Sequence, residues 1–496
     1  MPTERDPYDA VAYPGHAYPD THPDRMAVMG LLHGLEPAAV EHCRVLEIGC
    51  GDGANLIPMA YAIPGGEFVG FDLAELPVAR GQRRIGELGL ANIRLFQADL
   101  MDVRGLGQFD YVIANGLYAW VPEAARDRLL AICREHLAPN GLAFVSYNTL
   151  PGGHVRNMVR EMMFAQADRI EDPAQKVAEA LGFLRLMVEA RAEGDPFRAV
   201  VEHELKRMEQ RDPRVVFHDE LAGAGRPVSF TEFADHARKN GLQYVSESVL
   251  PPPNDPCFQR RIVDKAEEMT AGDRIAEEQV YDFARMRMYR ETLLCHRERE
   301  VSGEMCVEAL TRMRLASQAA ASDGEGDVLR VFTLPGGIRM ESRHRNTVLL
   351  METLIEAWPR SVPFAELMET LGASGVEADG EFFKLLLQLV VARMVELHVW
   401  QAPVGGSISE RPRASAVLRQ EAVAEDHATT LLHAALLLND PLVREFVLLL
   451  DGTRDRAELL AALREKRLDL SDANLAEGIE PTLRMLHRTG VLLGDG

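Results

Sequence analysis

The chain has 496 residues, enough for two to four domains, and an ordinary hydrophobic share of 47%. Its net charge of −22 argues against nucleic-acid binding, which needs basic surface to displace counterions, and is consistent with a neutral or cationic substrate. Met1 to Asp20 is polar and proline-rich, and the most apolar stretch, Phe382 to Trp400, is interrupted by Lys384, Arg393, Glu396 and His398. Neither a signal peptide nor membrane insertion is expected, and the expected compartment is the cytoplasm. The six cysteines have no metal-ligand spacing; Cys43, Cys50, Cys133 and Cys295 lie in or beside apolar segments, read as reduced core thiols, and no metal is expected.

Residues 1–42 form an aromatic-rich lead. Tyr8, Tyr13, Tyr18 and the turn Thr21-His22-Pro23 precede a helix predicted from Asp24 to Leu35, and such a segment can close over a bound cofactor or simply pack the domain edge. Val45-Leu46-Glu47-Ile48 reads as a buried strand running into Gly49-Cys50-Gly51-Asp52-Gly53, with a helix from near Ala54. Alternating glycines let the backbone pass close beneath a ligand. Dinucleotide enzymes use similar turns, but Glu47 ends the strand here. A carboxylate there suits S-adenosylmethionine (SAM), which carries a sulfonium and an ammonium and no phosphate, better than it suits a pyrophosphate.

A second strand, Glu67 to Leu73, ends in Asp72, 19 residues beyond Gly53 and close to the ~20-residue offset of an acid that holds ribose hydroxyls. A third, Ile93 to Leu100, ends in Asp99, which can accept from an adenine amino group. Phe109 to Asn115 and Leu142 to Asn148 are the fourth and fifth, separated by a helix from Pro122 to Leu137 with Asn140-Gly141 as its stop. Strands alternating with helices predict an α/β fold, a doubly wound parallel Rossmann-like sheet that binds ligands beyond its strand ends.

The next tract, from Val155 to Met208, is helical and broken at Asp172-Pro173 and Gly194-Asp195-Pro196, too long for one crossover. The expected crossover comes later, at Ser229 to Gly241, with a serine cap, Glu232 at the capping-box position and a glycine stop. Leu242 to Val249 reads as the next strand and Thr292 to Cys295 as a seventh. This gives a sheet domain over 43–300 with a helical insertion at 153–225, a linker at 301–328, a middle domain at 329–402 and a C-terminal domain at 403–496. Ala365-Glu366-Leu367 recurs as Ala457-Glu458-Leu459 at an offset of 92, each within a helix–helix–helix–strand series, so both later domains are predicted to be winged-helix-like and to serve protein contacts.

The order Glu47-x-Gly49-x-Gly51-x-Gly53, Gly70-Phe71-Asp72-Leu73, Ala98-Asp99-Leu100 and Phe109-Asp110-Tyr111-Val112-Ile113-Ala114-Asn115 resembles the class I SAM-dependent methyltransferases over roughly residues 43–150. Val216-Phe217-His218-Asp219-Glu220-Leu221, with Pro227 to Phe230 and Ala237 to Tyr244, resembles the bacterial methyltransferase regulatory domain. Arg411 to Ser415 and Leu449 to Arg454 resemble the C-terminal domain of bacterial protein-lysine methyltransferases that modify outer-membrane proteins. The resemblance implies SAM as cofactor, S-adenosylhomocysteine as product, a protein lysine as methyl acceptor, and a homodimer; the alternatives are a small metabolite or peptide natural product as acceptor, or a SAM-binding regulatory protein without transferase activity.

The cofactor is expected on Tyr13, Glu47, Gly49, Gly51, Gly53, Asn55, Asp72, Leu73, Asp99, Leu100 and Asn115. In-line methyl transfer needs alignment and exclusion of water, and an amine acceptor must also be neutral, although a free lysine has a pKa near ~10.4. Tyr118, Tyr147, Asn148 and His154 are therefore expected at the acceptor, with Tyr8, Tyr18, His22 and Trp120 as substrate contacts. Tyr118 and Trp120 would form an aromatic wall, Asn148 would offer an oxygen to the amine, and His154 would take its proton. Gly153 stands where relatives carry an aromatic residue after Pro-Gly. His218-Asp219-Glu220 reads as a helix start rather than a metal site.

Overall fold

Strand β1, Arg44–Ile48, is buried on both faces from Val45 onward and lies inside a parallel sheet, with Val45, Leu46 and Ile48 packed and Glu47 as its one buried acid. The computed structural model describes residues 11–223, 225–250, 259–424, 427–466 and 471–494. Strands β2 (Glu67–Asp72), β3 (Ile93–Gln97), β4 (Phe109–Ala114), β5 (Leu137–Asn148), β6 (Leu242–Glu247) and β7 (Tyr289–His296) complete one sheet in the order β3-β2-β1-β4-β5-β7-β6. The first five are parallel; β7 runs antiparallel to both neighbours. The reversal at β1 and β4 makes the crevice for a ligand.

Several boundaries differ from expectation. The helix after the glycine turn is Leu56–Ala62, because Gly53 is still in the left-handed region. The helix Glu123–His136 ends before Asn140-Gly141; Leu137 already pairs with Phe109, and a register shift follows. Strand β6 stops at Glu247.

Alternation decides what each strand residue faces. Val45, Tyr111, Ile113, Phe144, Leu293 and Cys295 point into one core layer, covered by the helix Pro23–Leu32 and continuous with Leu350, Leu386 and Trp400 farther along the chain. Leu46, Ile48, Val112, Ala114, Val145, Tyr147 and Leu294 point into the other, beneath the helices Glu123–His136 and Phe230–Lys239. The second helix is capped as expected, Ser229 Oγ accepting from Glu232 N at 3.1 Å.

The insertion consists of the helices Gly152–Ala167, Pro173–Glu189 and Pro196–Glu209, with a core of its own. Two of them begin at an Asp cap followed by proline, the breaks read from the sequence. The stretch expected as a linker is built structure: Arg314–Ala316 is the central strand between Val362–Pro363 and Glu396–His398, and Ala320–Asp323 pairs with Arg330–Thr333. Buried Leu315 and Ala316 tie it to the core. The last domain has the helices Ala416–Ala424, Pro441–Leu449, Arg456–Lys466 and Asp472–Arg488, and a hairpin of His427–Thr429 with Ala435–Leu437. Among the described residues no helix is long and apolar enough to cross a membrane.

Candidate active site

Gly49, Gly51 and Gly53 all have positive φ (76°, 53° and 74°), which is why this turn needs glycine. Gly49 N and Cys50 N donate to Phe71 O at 2.9 and 3.1 Å, tying the turn to the end of β2. A Cβ on Gly53 would lie 2.7 Å from Leu95, so that glycine serves packing. A Cβ on Gly51 would meet nothing, so the backbone there borders open space. Asp72 clamps the same turn: Oδ2 accepts from Gly51 N at 2.8 Å and Oδ1 from Ala74 N at 2.9 Å. Leu73, 56% exposed, presents an apolar side chain beside it. On the neighbouring strand end Asp99 is exposed, accepting from Met101 N at 2.8 Å, and Leu100 packs on the core beneath.

Glu47 is buried. One oxygen accepts from Asn55 Nδ2 at 2.8 Å; the other, Oε2, is buried with no hydrogen-bond partner among the described residues. Burial pushes its pKa up to about 8, with Asp72 and Asp52 adding repulsion. An orphaned carboxylate oxygen calls for a donor, and a cationic ligand fits it. A pyrophosphate would face Glu47 and Asp72 together and be repelled. The residues present therefore fit SAM.

The lead segment crosses this turn closely, so that a Cβ on Gly15 would lie 2.7 Å from Ala54 Cβ. Tyr18 N donates to Asn55 Oδ1 at 3.0 Å. The Tyr18 phenol is pushed up to about 12 by burial first, then by the charges of Asp219 and Glu47. Tyr13 packs its ring on His218, centroids 5.5 Å apart. Tyr8 lies outside the described residues.

Next to the cofactor crevice stands a hydroxyl chain. Tyr289 OH donates to Ser146 Oγ at 2.7 Å, Ser146 Oγ donates to Asn115 Oδ1 at 2.7 Å, and Gly116 N donates to Ser146 Oγ at 2.7 Å. Tyr289 is 40% exposed, its ring open while its hydroxyl is held below. Burial raises its pKa, so it keeps its proton at neutral pH. Asn148 Oδ1 accepts from Arg156 Nη1 at 3.2 Å. Alternation thus puts Glu47, Asp72, Asn115, Ser146, Asn148 and Tyr289 on one face of the sheet, at one end.

The same rule corrects the expected acceptor wall. Tyr147 lies one residue out of phase, 1% exposed, stacked on Phe233 at 4.0 Å and bonded to Thr292. Tyr118 is 2% exposed, edge-on to Phe233, with its hydroxyl 2.7 Å from His236 Nδ1. Both belong to the opposite core layer, and burial raises both phenols' pKa. Trp120 is a platform for the guanidiniums of Arg160 and Arg156, 5.1 and 5.6 Å from its ring, and Gly225 packs against it. Both arginines serve buried Glu220: Arg156 Nη2 donates to it at 2.9 Å and Arg160 Nε lies 3.9 Å from it, while Arg207 Nη2 donates at 3.3 Å. His218-Asp219-Glu220 is a π-helical turn, Phe217–Leu221, rather than a helix start; His218 Nε2 contacts Val11 O at 2.8 Å, and Asp219 pairs with Arg211. His22 is likewise not at the acceptor: it caps the helix Pro23–Leu32 and stacks on Trp400 at 5.4 Å, and burial lowers its pKa to about 4. His154 is exposed on the first turn of the insertion.

Sequence reasoning missed Ser146 and Tyr289. The signal for Ser146 was its phase with Asn148; Tyr289 could be found only by knowing that β7 is antiparallel, which places its first residue opposite Asn148.

Residues 45–141 match the model of a methyltransferase domain, 212–296 that of a predicted methyltransferase regulatory domain, and 410–474 that of the PKMT C-terminal winged helix domain. An uncharacterized protein of Rickettsia prowazekii is 30% identical over 301 residues, 60% of this chain and 54% of its own length, so the chain spans about half of that relative. A second from that organism is 30% identical over 245 residues, 49% of this chain and 98% of its own length. The structure of PKMT2 from Rickettsia typhi in complex with AdoHcy superposes with a TM-score of 0.85 at 22% identity, over 97% of this chain and 100% of that one. The fold is therefore shared from end to end.

Proposed function

Because the chain belongs to the SAM-dependent methyltransferases that carry a methyltransferase regulatory domain, we propose that it methylates the ε-amino group of a lysine in a protein substrate. The observation that carries this is the single sheet face on which Glu47 and Asp72 adjoin Ser146, Asn115 and Tyr289. SAM supplies an electrophilic methyl group on sulfur. The chain's own part is to orient and desolvate the amine. Tyr289 commits its proton to Ser146, so its remaining lone pairs are available to an amine N–H. An amine held by oxygen acceptors keeps its nitrogen lone pair for the methyl group. The half-exposed ring of Tyr289 leaves the site open to an acceptor carried on a protein. The architecture shared with PKMT2 and the matched PKMT winged helix domain support this reading.

The proposal includes a homodimer formed through the three-helix insertion, and a cytoplasmic location, in line with four buried free thiols. Light scattering that shows only monomer at all concentrations removes the dimer.

Two measurements test the function. Calorimetry with SAM, with NAD as control, is expected to give micromolar binding to the wild type, and Asp72→Ala is expected to weaken it about 10- to 100-fold by removing charged hydrogen bonds. Incubation with labelled SAM and lysine-bearing proteins is expected to yield methyl-lysine by mass spectrometry. Methyl groups found only on small molecules, or SAM binding with no product at all, sink the lysine reading.

A further inference from the structure

His433 stands 378 positions from Asn55, and its Nε2 is 2.9 Å from Asn55 Oδ1 in a buried contact. It sits at the tip of the hairpin His427–Thr429/Ala435–Leu437, with φ +57°, held by a bond from His433 N to Thr430 O at 3.0 Å. Asn55 is the residue that donates to Glu47. The C-terminal domain thus reaches the carboxylate of the cofactor crevice through one intervening side chain.

The bonding pattern fixes which way Asn55 points. Tyr18 N can only donate, so the amide atom 3.0 Å from it is the oxygen. Thr21 Oγ1 lies 2.8 Å from Tyr18 O, to which it donates, and so accepts from Asn55 Nδ2 at 3.0 Å. His433 must then donate, as the Nε2–H tautomer. Burial lowers the His433 pKa well below the ordinary imidazole value, keeping the ring neutral. Flipping Asn55 would set the Tyr18 N–H against its amide nitrogen and its oxygen against the Glu47 carboxylate, which excludes that flip and leaves His433 as the donor.

The rest of the contact shows that the domain is seated there. Ala416 N donates to Tyr61 Oη at 3.2 Å, Arg84 Nη2 pairs with Glu421 at 3.0 Å, and Gln420 Nε2 donates to Glu87 at 2.6 Å. Tyr61 and Arg84 lie on Leu56–Ala62 and Glu75–Leu88, the helices that follow the glycine turn and Asp72. His433 also lies 5.1 Å from the ring of His22, which stacks on Trp400.

We propose that the hairpin tip of the C-terminal domain is part of the cofactor site, with His433 the positioning residue for Asn55 and Glu47, so that docking of this domain and affinity for SAM are coupled. The coupling is reciprocal: what seats the domain tightens SAM, and SAM seats the domain. This inference rests on SAM binding at Glu47 but not on the identity of the acceptor.

The test is calorimetry of S-adenosylhomocysteine and steady-state kinetics on the full chain, for wild type, His433→Ala and His433→Gln. Both variants keep a non-glycine residue in the left-handed backbone, so their difference reports the hydrogen bond. The alanine variant is expected to raise Kd and the KM for SAM about tenfold, the loss of one buried hydrogen bond with its partner stranded. Glutamine, which can still donate, is expected to stay within about threefold of wild type, and kcat at saturating SAM to change less than about twofold. An alanine variant that binds like wild type overturns the proposal, and so do alanine and glutamine variants that are equally weak. Wild type that does not bind indicts the cofactor assignment instead. Should alanine not fold, Arg84→Ala keeps the test alive: it leaves Asn55 untouched and is expected to raise Kd about two- to fivefold, and an unchanged Kd there overturns the coupling.

Discussion

Tyr289 reaches across the antiparallel β5–β7 pair and donates its phenolic proton to Ser146 Oγ at 2.7 Å. Tyr147, the residue next to Ser146, faces the other side of the sheet, where it and Tyr118 are sealed against Phe233.

Turnover should follow that division. Tyr289→Phe removes the oxygen above Ser146 and is expected to lower kcat about tenfold or more while SAM affinity stays within about twofold. Tyr118→Phe and Tyr147→Phe each remove a hydroxyl bonded inside the core. Turnover in these two is expected to stay close to wild type and stability to fall by about 1 kcal/mol. Kinetics and denaturant titration on the three proteins check this, and a kcat loss confined to Tyr118→Phe would return the acceptor to the aromatic wall.

Glu47 ties cofactor binding to pH. Its folded pKa, about 8, lies above the ordinary value of 4.5, so between those values the cofactor-free protein holds a proton that the unfolded chain has released. Stability of the free protein therefore falls as pH rises through that window. Glu291, on the same sheet face and raised by burial to about 7, acts in the same direction. A cationic ligand binds the ionised carboxylate, so affinity for SAM is expected to rise with pH towards 8, with proton release visible in buffers of different ionisation enthalpy. Glu47→Gln is expected to flatten the affinity dependence and to reduce the stability dependence to the part Glu291 sets. A variant that keeps the wild-type pH slope would show that another group sets it.

Arg290 anchors the strand that carries Tyr289. Its side chain is fully buried, 2.8 Å from Asp282, 2.7 Å from Glu247 and 2.9 Å from Glu278, and lies over the ring of Phe230 at 3.8 Å. Arg290→Ala strips buried Asp282 of its close cation and leaves Glu247 with Arg287 alone, and is expected to cost about 3–5 kcal/mol of stability. A thermal melt that does not shift would contradict it.

The grouping of the candidate cofactor residues was legible because it is local. Glu47, the three glycines, Asp72 and Asp99 fall at fixed offsets along consecutive strand–turn–helix units, where chain connectivity alone brings them together. The acceptor half was misread at Tyr118 and Tyr147 because an apolar strand buried on both faces shows no alternation, so the sequence carries no mark of which face a residue serves. The linker was misread for a related reason: Ala320 and its neighbours are small and polar, yet Ala320–Asp323 is the edge strand of a small sheet, a role set by its partner Arg330–Thr333 and not by its composition.

What the amino-acid order determined by itself is the methyltransferase sheet, the breaks of the helical insertion and the acids at the strand ends, since each depends on residues within a few turns of one another. What only the tertiary structure decided is the antiparallel placement of Tyr289 beside Ser146 and the arrival of His433 at Asn55. Those contacts join segments 143 and 378 positions apart, and their energy comes from burial and hydrogen-bond geometry that exist only once the domains have packed.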